Sequence, residues 1–562
     1  MQFIFLAVFF AAAFFIATFR HFTSRKSQYR SIPGPKGLPW LGPINQLPFL
    51  GLWFKFKDWS DEYGPFYGVK LLGKQHIFIC SEKIASELLN KRGSIYSGRP
   101  AVPTIVDSQS RFGSAEYMPL MSRNKKESIT IQSTNLNPTS EFHTRQKKFN
   151  HIALTASLSK NYHSYPSIEA KRFIHHLLHP TSNNWVSLCE DMTSRTISRL
   201  TWGSPDPASE LKNDAWDLLQ AISPVGNLSN LFTPLLLVPT FLSPWKKWEK
   251  KRHDRQQEWF RRNLEDVRIR MGEGRADRFF GQYGPSFART YLEAASISPS
   301  TTPFDFNEAA STLGMLSVAA VYTVSSPLQT FIRAAVLHPE WYRRVQEEVD
   351  EVCGEERVPE VQDTPRLLVL RAFIKECLRW RPPIPTGVSH ELEEDDVYDG
   401  YFLPKGTRVH PVEWAFSLDP TIYPSPQTFN PDRYLSPSYP TYREPLKSYP
   451  SILKNTTFGW GRRICQGAAL TEQELITACG GLAWTFDLRC KEGEEGEVEA
   501  EMKPPGRRGE SLVIVKPRGF GLVCEVRGEG VEKKRRREVV ERLYRESWEG
   551  DVLRGVGSVN VE

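Results

Sequence analysis

One cysteine stands in surroundings that a purely structural thiol does not need. "FGWGRRICQG", positions 458–467, sets Cys465 among three glycines, two arginines and two aromatic residues. A lone cysteine is ordinarily a small buried hydrophobe, so glycine on both sides and paired cations just upstream raise the question of what the sulfur does. A second chemical signal is Glu376-x-x-Arg379, carried on a helical pattern that ends in a proline-rich exit, "FIKECLRWRPPIPTGVSH" (373–390). An i,i+3 glutamate–arginine pair is commonplace on any helix and means little by itself.

The chain that must position these residues has 562 of them, 8 cysteines and a net charge of +7. The cysteines form no C-x-x-C pair and keep no regular spacing, which argues against a disulfide framework and a cysteine-rich zinc site. The charge is mild and dispersed, without basic runs interleaved with aromatics, so nucleic acid is not an expected partner. Met1 to Phe19 carries no charge and is followed by Arg20, His21, Arg25, Lys26 and Arg30. A spanning helix needs roughly 20 apolar residues. A cleaved signal peptide would put its basic residues before the apolar core and a small-residue cleavage site after it. Residues 1–20 therefore read as a retained transmembrane signal anchor, with the bulk of the chain cytosolic by the positive-inside rule.

Residues 21–44 read as a basic, proline-rich hinge, since the four prolines and three glycines of "SIPGPKGLPWLGP" cannot continue a helix. "FYGVKLL" and "QHIFIC" alternate as strands around Gly73, and strands return late in "RVHPVEWA" and "SLVIVK". Between them, apolar residues recur at three- and four-residue spacing, as in "EDMTSRTISRLTWG" and "PEWYRRVQEEVDEV". These patterns predict one large, mainly α domain with small β-sheets over 45–530. Residues 122–142 are polar and lack periodicity, reading as a disordered insertion or as retained non-coding sequence. Residues 531–562 form a charged C-terminal tail, of which 532–553 reads as a solvated helix or a loose end.

Phe458, Gly461, Arg463, Cys465 and Gly467 fit F-x-x-G-x-R-x-C-x-G, and "AALTEQEL" follows with helical periodicity. This resembles the haem-binding loop of the cytochrome P450 family, and the texture is that of membrane-anchored members from filamentous fungi. The resemblance implies haem b with Cys465 as the thiolate axial ligand, a ligand that favours O–O cleavage. The following helix amino terminus supports negative charge on sulfur. Arg463 is expected on a haem propionate, Phe458 over the sulfur face, and His390 near a propionate. In the family, Glu376 and Arg379 form a buried ionic lock with an arginine from F-x-P-x-R; "FNPDRYL" (429–435) supplies Arg433. These three are expected to be structural.

The pattern also departs from the family. Its acidic and alcohol pair over the haem corresponds here to Tyr322 and Thr323, within Ala319-Ala320-Val321-Tyr322-Thr323-Val324. Thr323 keeps the alcohol that assists oxygen activation. Tyr322 replaces the acid, with a hydroxyl that cannot relay charge as a carboxylate does but can order a water; Ser325 and Ser326 are candidates to compensate. Pro327 has no amide for the carbonyl of Thr323, so the helix is expected to open there. The family's early-helix W-x-x-x-R appears as Phe142 to Gln146, leaving Arg145 or Lys147 for a propionate.

The resemblance implies a monooxygenase that inserts one oxygen atom from O2 into a lipophilic small molecule of secondary metabolite biosynthesis. Because no dinucleotide or flavin motif is present, electrons from NADPH must come through a partner cytochrome P450 reductase, with cytochrome b5 a second donor. Arg462 and Arg463 suit an acidic reductase face. The implied location is the endoplasmic reticulum membrane, single-pass, with the catalytic domain cytosolic. Two alternatives remain: a haem-thiolate isomerase or dehydratase that does not need O2, and a non-catalytic haem-binding membrane protein.

Overall fold

The computed structural model describes residues 29–39, 41–48, 51–100, 102, 149–151, 153–154, 164–179, 184–223, 235, 238–272, 286–297, 306–499, 513–515 and 517–553. The expected anchor (1–20), the insertion (122–142) and Phe142 to Lys147 lie outside them. Helices of eleven residues or more are α1 Leu52–Tyr63, α2 Ser164–Leu178, α3 Trp185–Trp202, α4 Ala208–Ile222, α5 Pro244–Gly272, α6 Phe287–Ile297, α7 Phe306–Leu337, α8 Pro339–Cys353, α9 Leu368–Trp380, α10 Ala468–Thr485 and α11 Gly530–Leu553. The strands are β1 Phe66–Leu71, β2 Lys74–Ile79, β3 His390–Glu391, β4 Asp396–Tyr398, β5 Tyr401–Leu403, β6 Arg408–Pro411, β7 Phe486–Cys490 and β8 Leu522–Val526. The domain is mainly helical, as its periodicity predicts.

Helix α7 is apolar on nearly every side and forms the axis of the core. Two apolar clusters meet along it, one drawn from α2, the start of α3, α8, α9 and α10, the other from the end of α3, α4, α5 and α6. Gly314 lets α5 press in: a Cβ there would stand 2.1 Å from the Phe260 ring. Although α7 is the described helix long and apolar enough to cross a bilayer, it is mostly buried in protein.

A four-stranded sheet in the order β1-β2-β6-β3 flanks this body. β1 and β2 pair antiparallel across the Leu72–Gly73 turn, and β2 lies parallel to β6 with Ile77 opposite Val409. The proline-rich hinge is not a free spacer where it is described. The Gly68 amide donates to the Pro33 carbonyl at 2.8 Å, and a Cβ on Gly34 would meet the Gly68 oxygen at 2.0 Å, so the segment runs flush along β1.

Two expectations change. "SLVIVK" gives no strand among its described residues; the Val515 amide donates to the Pro383 carbonyl at 2.8 Å, and the terminal pairing is β7 with β8. Residues 532–553 are not loose. They belong to α11, which buries Val539, Val540 and Leu543 against the core. Arg536, 3% exposed, lies over the Trp484 ring and bonds the Trp484 carbonyl at 2.7 Å. Dense charge conceals this narrow apolar face in the sequence.

Candidate functional site

The cysteine loop begins in a 3-10 turn, Thr456–Phe458, capped by Asn455, whose side-chain oxygen accepts from the Thr457 amide at 3.0 Å. The Cys465 amide returns to the Phe458 carbonyl at 2.7 Å and closes the loop. Gly461 sits at φ +55°, where a Cβ would stand 2.0 Å from the Leu89 carbonyl oxygen. Only glycine fits that seat. Its amide donates to the side-chain oxygen of Asn90 at 2.8 Å.

Cys465 ends this loop just before α10. It is the one exposed cysteine among eight, yet desolvation by the surrounding protein raises its thiol above the ordinary value. Against burial, the amides of Gly467 (3.3 Å) and Ala468 bond the sulfur and favour its anion. Gly467 takes an ordinary φ of −86°; its part is this close amide approach.

Three cationic or basic side chains gather nearby. Arg463 donates through Nε to the Ser97 carbonyl at 2.8 Å, and burial lowers its pKa to about 10, with Glu393 opposing. Two residues beyond Ser97, Arg99 is 6% exposed. Burial, then the neighbouring Arg463 charge, lowers its pKa to about 9. It reaches the carbonyls of Val388 and Ser389, the latter at 2.6 Å, but its buried Nε has no partner. His390 Nδ1 lies 2.8 Å from the Tyr96 carbonyl; burial and then Arg99 lower its pKa, so the ring is neutral. Two crowded guanidiniums with an orphaned donor fit a carboxylate-bearing group such as a haem edge. Sequence reading missed Arg99, an isolated arginine in "SGRPAV" whose burial is purely tertiary.

Helix α7 presents one half-exposed stripe in an otherwise buried stretch: Leu316, Ala319, Ala320 and Thr323, at helical spacing. Thr323 is on it, with its hydroxyl donating to the Ala319 carbonyl at 2.8 Å. Tyr322 is not. Its hydroxyl donates to the Lys212 carbonyl at 3.2 Å and its ring packs edge-on against Trp216. Burial, then Glu190, raises its pKa, so the expected water-ordering hydroxyl is already used in packing. Ser325 and Ser326 are buried, the latter bonded to the Val515 carbonyl at 2.6 Å. At Pro327 α7 is not interrupted; it stays helical to Leu337, with Thr330 on the Ser326 carbonyl at 3.0 Å.

Glu376, Arg379 and Arg433 come together fully buried. Glu376 takes Arg379 at 2.7 and 2.8 Å and Arg433 at 3.3 Å, and also accepts from the Asn430 amide and the Tyr434 hydroxyl. The arginines spend their remaining donors on carbonyls of residues 417–428. Both carboxylate oxygens and nearly every guanidinium donor at the centre are engaged, so this knot pins α9 to the segment ahead of the cysteine loop. A second buried knot was not foreseen: Glu169, held down at about 2 despite burial by Arg199, Arg195 and Arg172.

A family model described as cytochrome P450 matches residues 32–507. Among curated relatives, the cytochrome P450 monooxygenase aneD of Aspergillus aculeatus is 28% identical over 509 residues, 89% of each chain. The monooxygenase fogE of Aspergillus ruber is 30% identical over 473 residues, 81% of this chain and 80% of its own. The monooxygenase psoD of Aspergillus fumigatus is 29% identical over 507 residues, 88% of this chain and 90% of its own.

Proposed function

This chain belongs to the cytochrome P450 family, and from that premise we propose that it oxygenates a lipophilic small molecule of fungal secondary metabolism through a haem held by Cys465. The observation that carries this reading is Cys465, the one exposed cysteine of eight, with two amides directed at its sulfur and buried Arg99 and half-buried Arg463 nearby. Haem b supplies the activation of dioxygen at the expense of two electrons.

The rest falls to the protein. The Gly467 and Ala468 amides stabilise the sulfur anion at the start of α10. Arg99 and Arg463 would receive the propionates; neutral His390, its one N–H spent on the Tyr96 carbonyl, would brace the strand beside them, and Phe458 closes the loop beside the sulfur. Thr323 brings the one hydroxyl on the half-exposed stripe of α7; rotating away from Ala319 would free it to donate a hydrogen bond off that stripe. Tyr322 keeps its proton on the far side. Glu376, Arg379 and Arg433 hold the scaffold and touch no reactant.

A cytochrome P450 reductase would deliver the electrons from NADPH, with cytochrome b5 as a second donor. Exposed Arg462 is suited to the acidic face of such a partner. Residues 1–20 anchor the chain in the endoplasmic reticulum membrane as a single pass, with the catalytic domain in the cytosol.

The purified full chain should show the red-shifted Soret band of a thiolate-bound ferrous carbon-monoxide complex. With reductase, NADPH and isotopically labelled dioxygen, it should add one labelled oxygen to candidate lipophilic intermediates. The absence of a carboxylate at position 322 favours one competing reading, an isomerase or dehydratase; turnover without oxygen and NADPH would establish that instead.

A further inference from the structure

Helix α11 meets α2 through a cluster that the oxygenation chemistry leaves unused. His175 and His179 are one turn apart on the same face of α2. From α11, Glu541 places one carboxylate oxygen 3.1 Å from His175 Nε2 and the other 2.5 Å from His179 Nε2. All three potential ligand atoms lie within 4.8 Å of one another. We propose that His175, His179 and Glu541 bind a divalent transition-metal cation, zinc by preference, which clamps α11 to α2.

The donor set suits that choice. Two imidazoles and one carboxylate are a recognised zinc set that leaves a further position for water. The site is also prepared for its ligand. The His175 ring lies flat on Tyr544, 3.6 Å between centroids and 5° from parallel. Further along α11, Arg172 bonds the Ser547 carbonyl at 3.0 Å and covers the Trp548 ring at 3.9 Å. The two helices are thus docked before metal arrives, and only side chains need to close. Entry is open from solvent, since the His179 and Glu541 side chains are 49% and 37% exposed. One feature limits affinity: His175 Nδ1 is buried without an acceptor, and an outer-shell partner is worth roughly 10–100-fold. A moderate site is expected.

The test uses the haem-loaded full chain. Zinc retained after equilibration and desalting is measured against a magnesium control, alongside a zinc titration followed by calorimetry. One zinc per chain is expected, with affinity reduced roughly tenfold or more in His179→Ala and Glu541→Gln. Both positions are partly exposed, and the Soret band and helical signal verify folding of each variant. Zinc should also slow proteolytic cleavage within 530–553 in the parent chain and not in the variants. Zinc retention no greater than magnesium, equal affinity in the variants, or identical protection with zinc and with chelator would overturn the proposal.

Discussion

Tyr322 on α7 donates its hydroxyl hydrogen to the Lys212 carbonyl on α4 at 3.2 Å, so the residue in the family's acid position faces a neighbouring helix. Tyr322→Phe should leave product formed per NADPH unchanged and lower stability by about 1 kcal/mol. Coupling assays and a denaturant titration check both halves. A collapse in coupling would return that hydroxyl to proton delivery.

Thr323 is the hydroxyl that coupling should depend on. Thr323→Val keeps the volume and removes the donor from the accessible stripe. NADPH consumption should continue while product per NADPH falls several-fold and peroxide rises. Because the hydroxyl bonds only its own helix here, stability should move by less than about 1 kcal/mol.

Arg99 should show effects of opposite sign in the two states of the protein. Its buried charge is opposed by Arg463 and its Nε is unpartnered. Arg99→Leu should therefore raise the denaturant midpoint of the haem-free chain. It should also speed haem loss to an acceptor globin, because the cation proposed to hold a propionate is gone. A variant that loses stability and keeps its haem would place Arg99 in the scaffold alone.

Glu376→Gln removes the counter-charge from two buried guanidiniums. Breaking such a cluster from one side costs about 3–5 kcal/mol. The expected result is a chain that unfolds at much lower denaturant and accumulates without haem, although no atom of Glu376 belongs to the proposed reaction.

Glu413 links stability to pH. Buried at 5% exposure and accepting from Thr456, it has its pKa pushed up from 4.5 to about 8 by burial. Between those values the folded chain keeps a proton that the unfolded chain releases. The contribution is complete below about pH 4.5 and is lost as pH rises through 8, by up to about 1.4 kcal/mol per pH unit. Denaturation of Glu413→Gln should show this part of the slope abolished, with the variant gaining on the parent at pH 8 relative to pH 5.

What the sequence could and could not reveal divides along contact range. The β1–β2 hairpin at Gly73, helices α3 and α8 and the loop around Cys465 are written in neighbouring residues, and periodicity or a compact motif exposes them. Arg99 and the Glu169 cluster are not, because partners 26 or 30 residues away, as Arg195 and Arg199 are from Glu169, leave no local pattern. Tyr322 was placed on the right helix but on the wrong face for chemistry, since its direction depends on Lys212 and Trp216. "SLVIVK" reads as a strand by composition, yet Val515 bonds the irregular exit after α9. In α11, three buried apolar residues are outnumbered by charges that bind Asp350, Glu355 and Glu356.

The seat of Gly461 has a consequence for biogenesis. The glycine is pressed against Leu89 and tied to Asn90, 371 positions earlier in the chain. On the ribosome, that cradle is made long before the loop it receives, and it waits through most of translation. A nascent polypeptide halted short of position 465 holds half a socket and no sulfur for the metal. Acquisition of the prosthetic group therefore belongs to the last stage of synthesis or to the period after release.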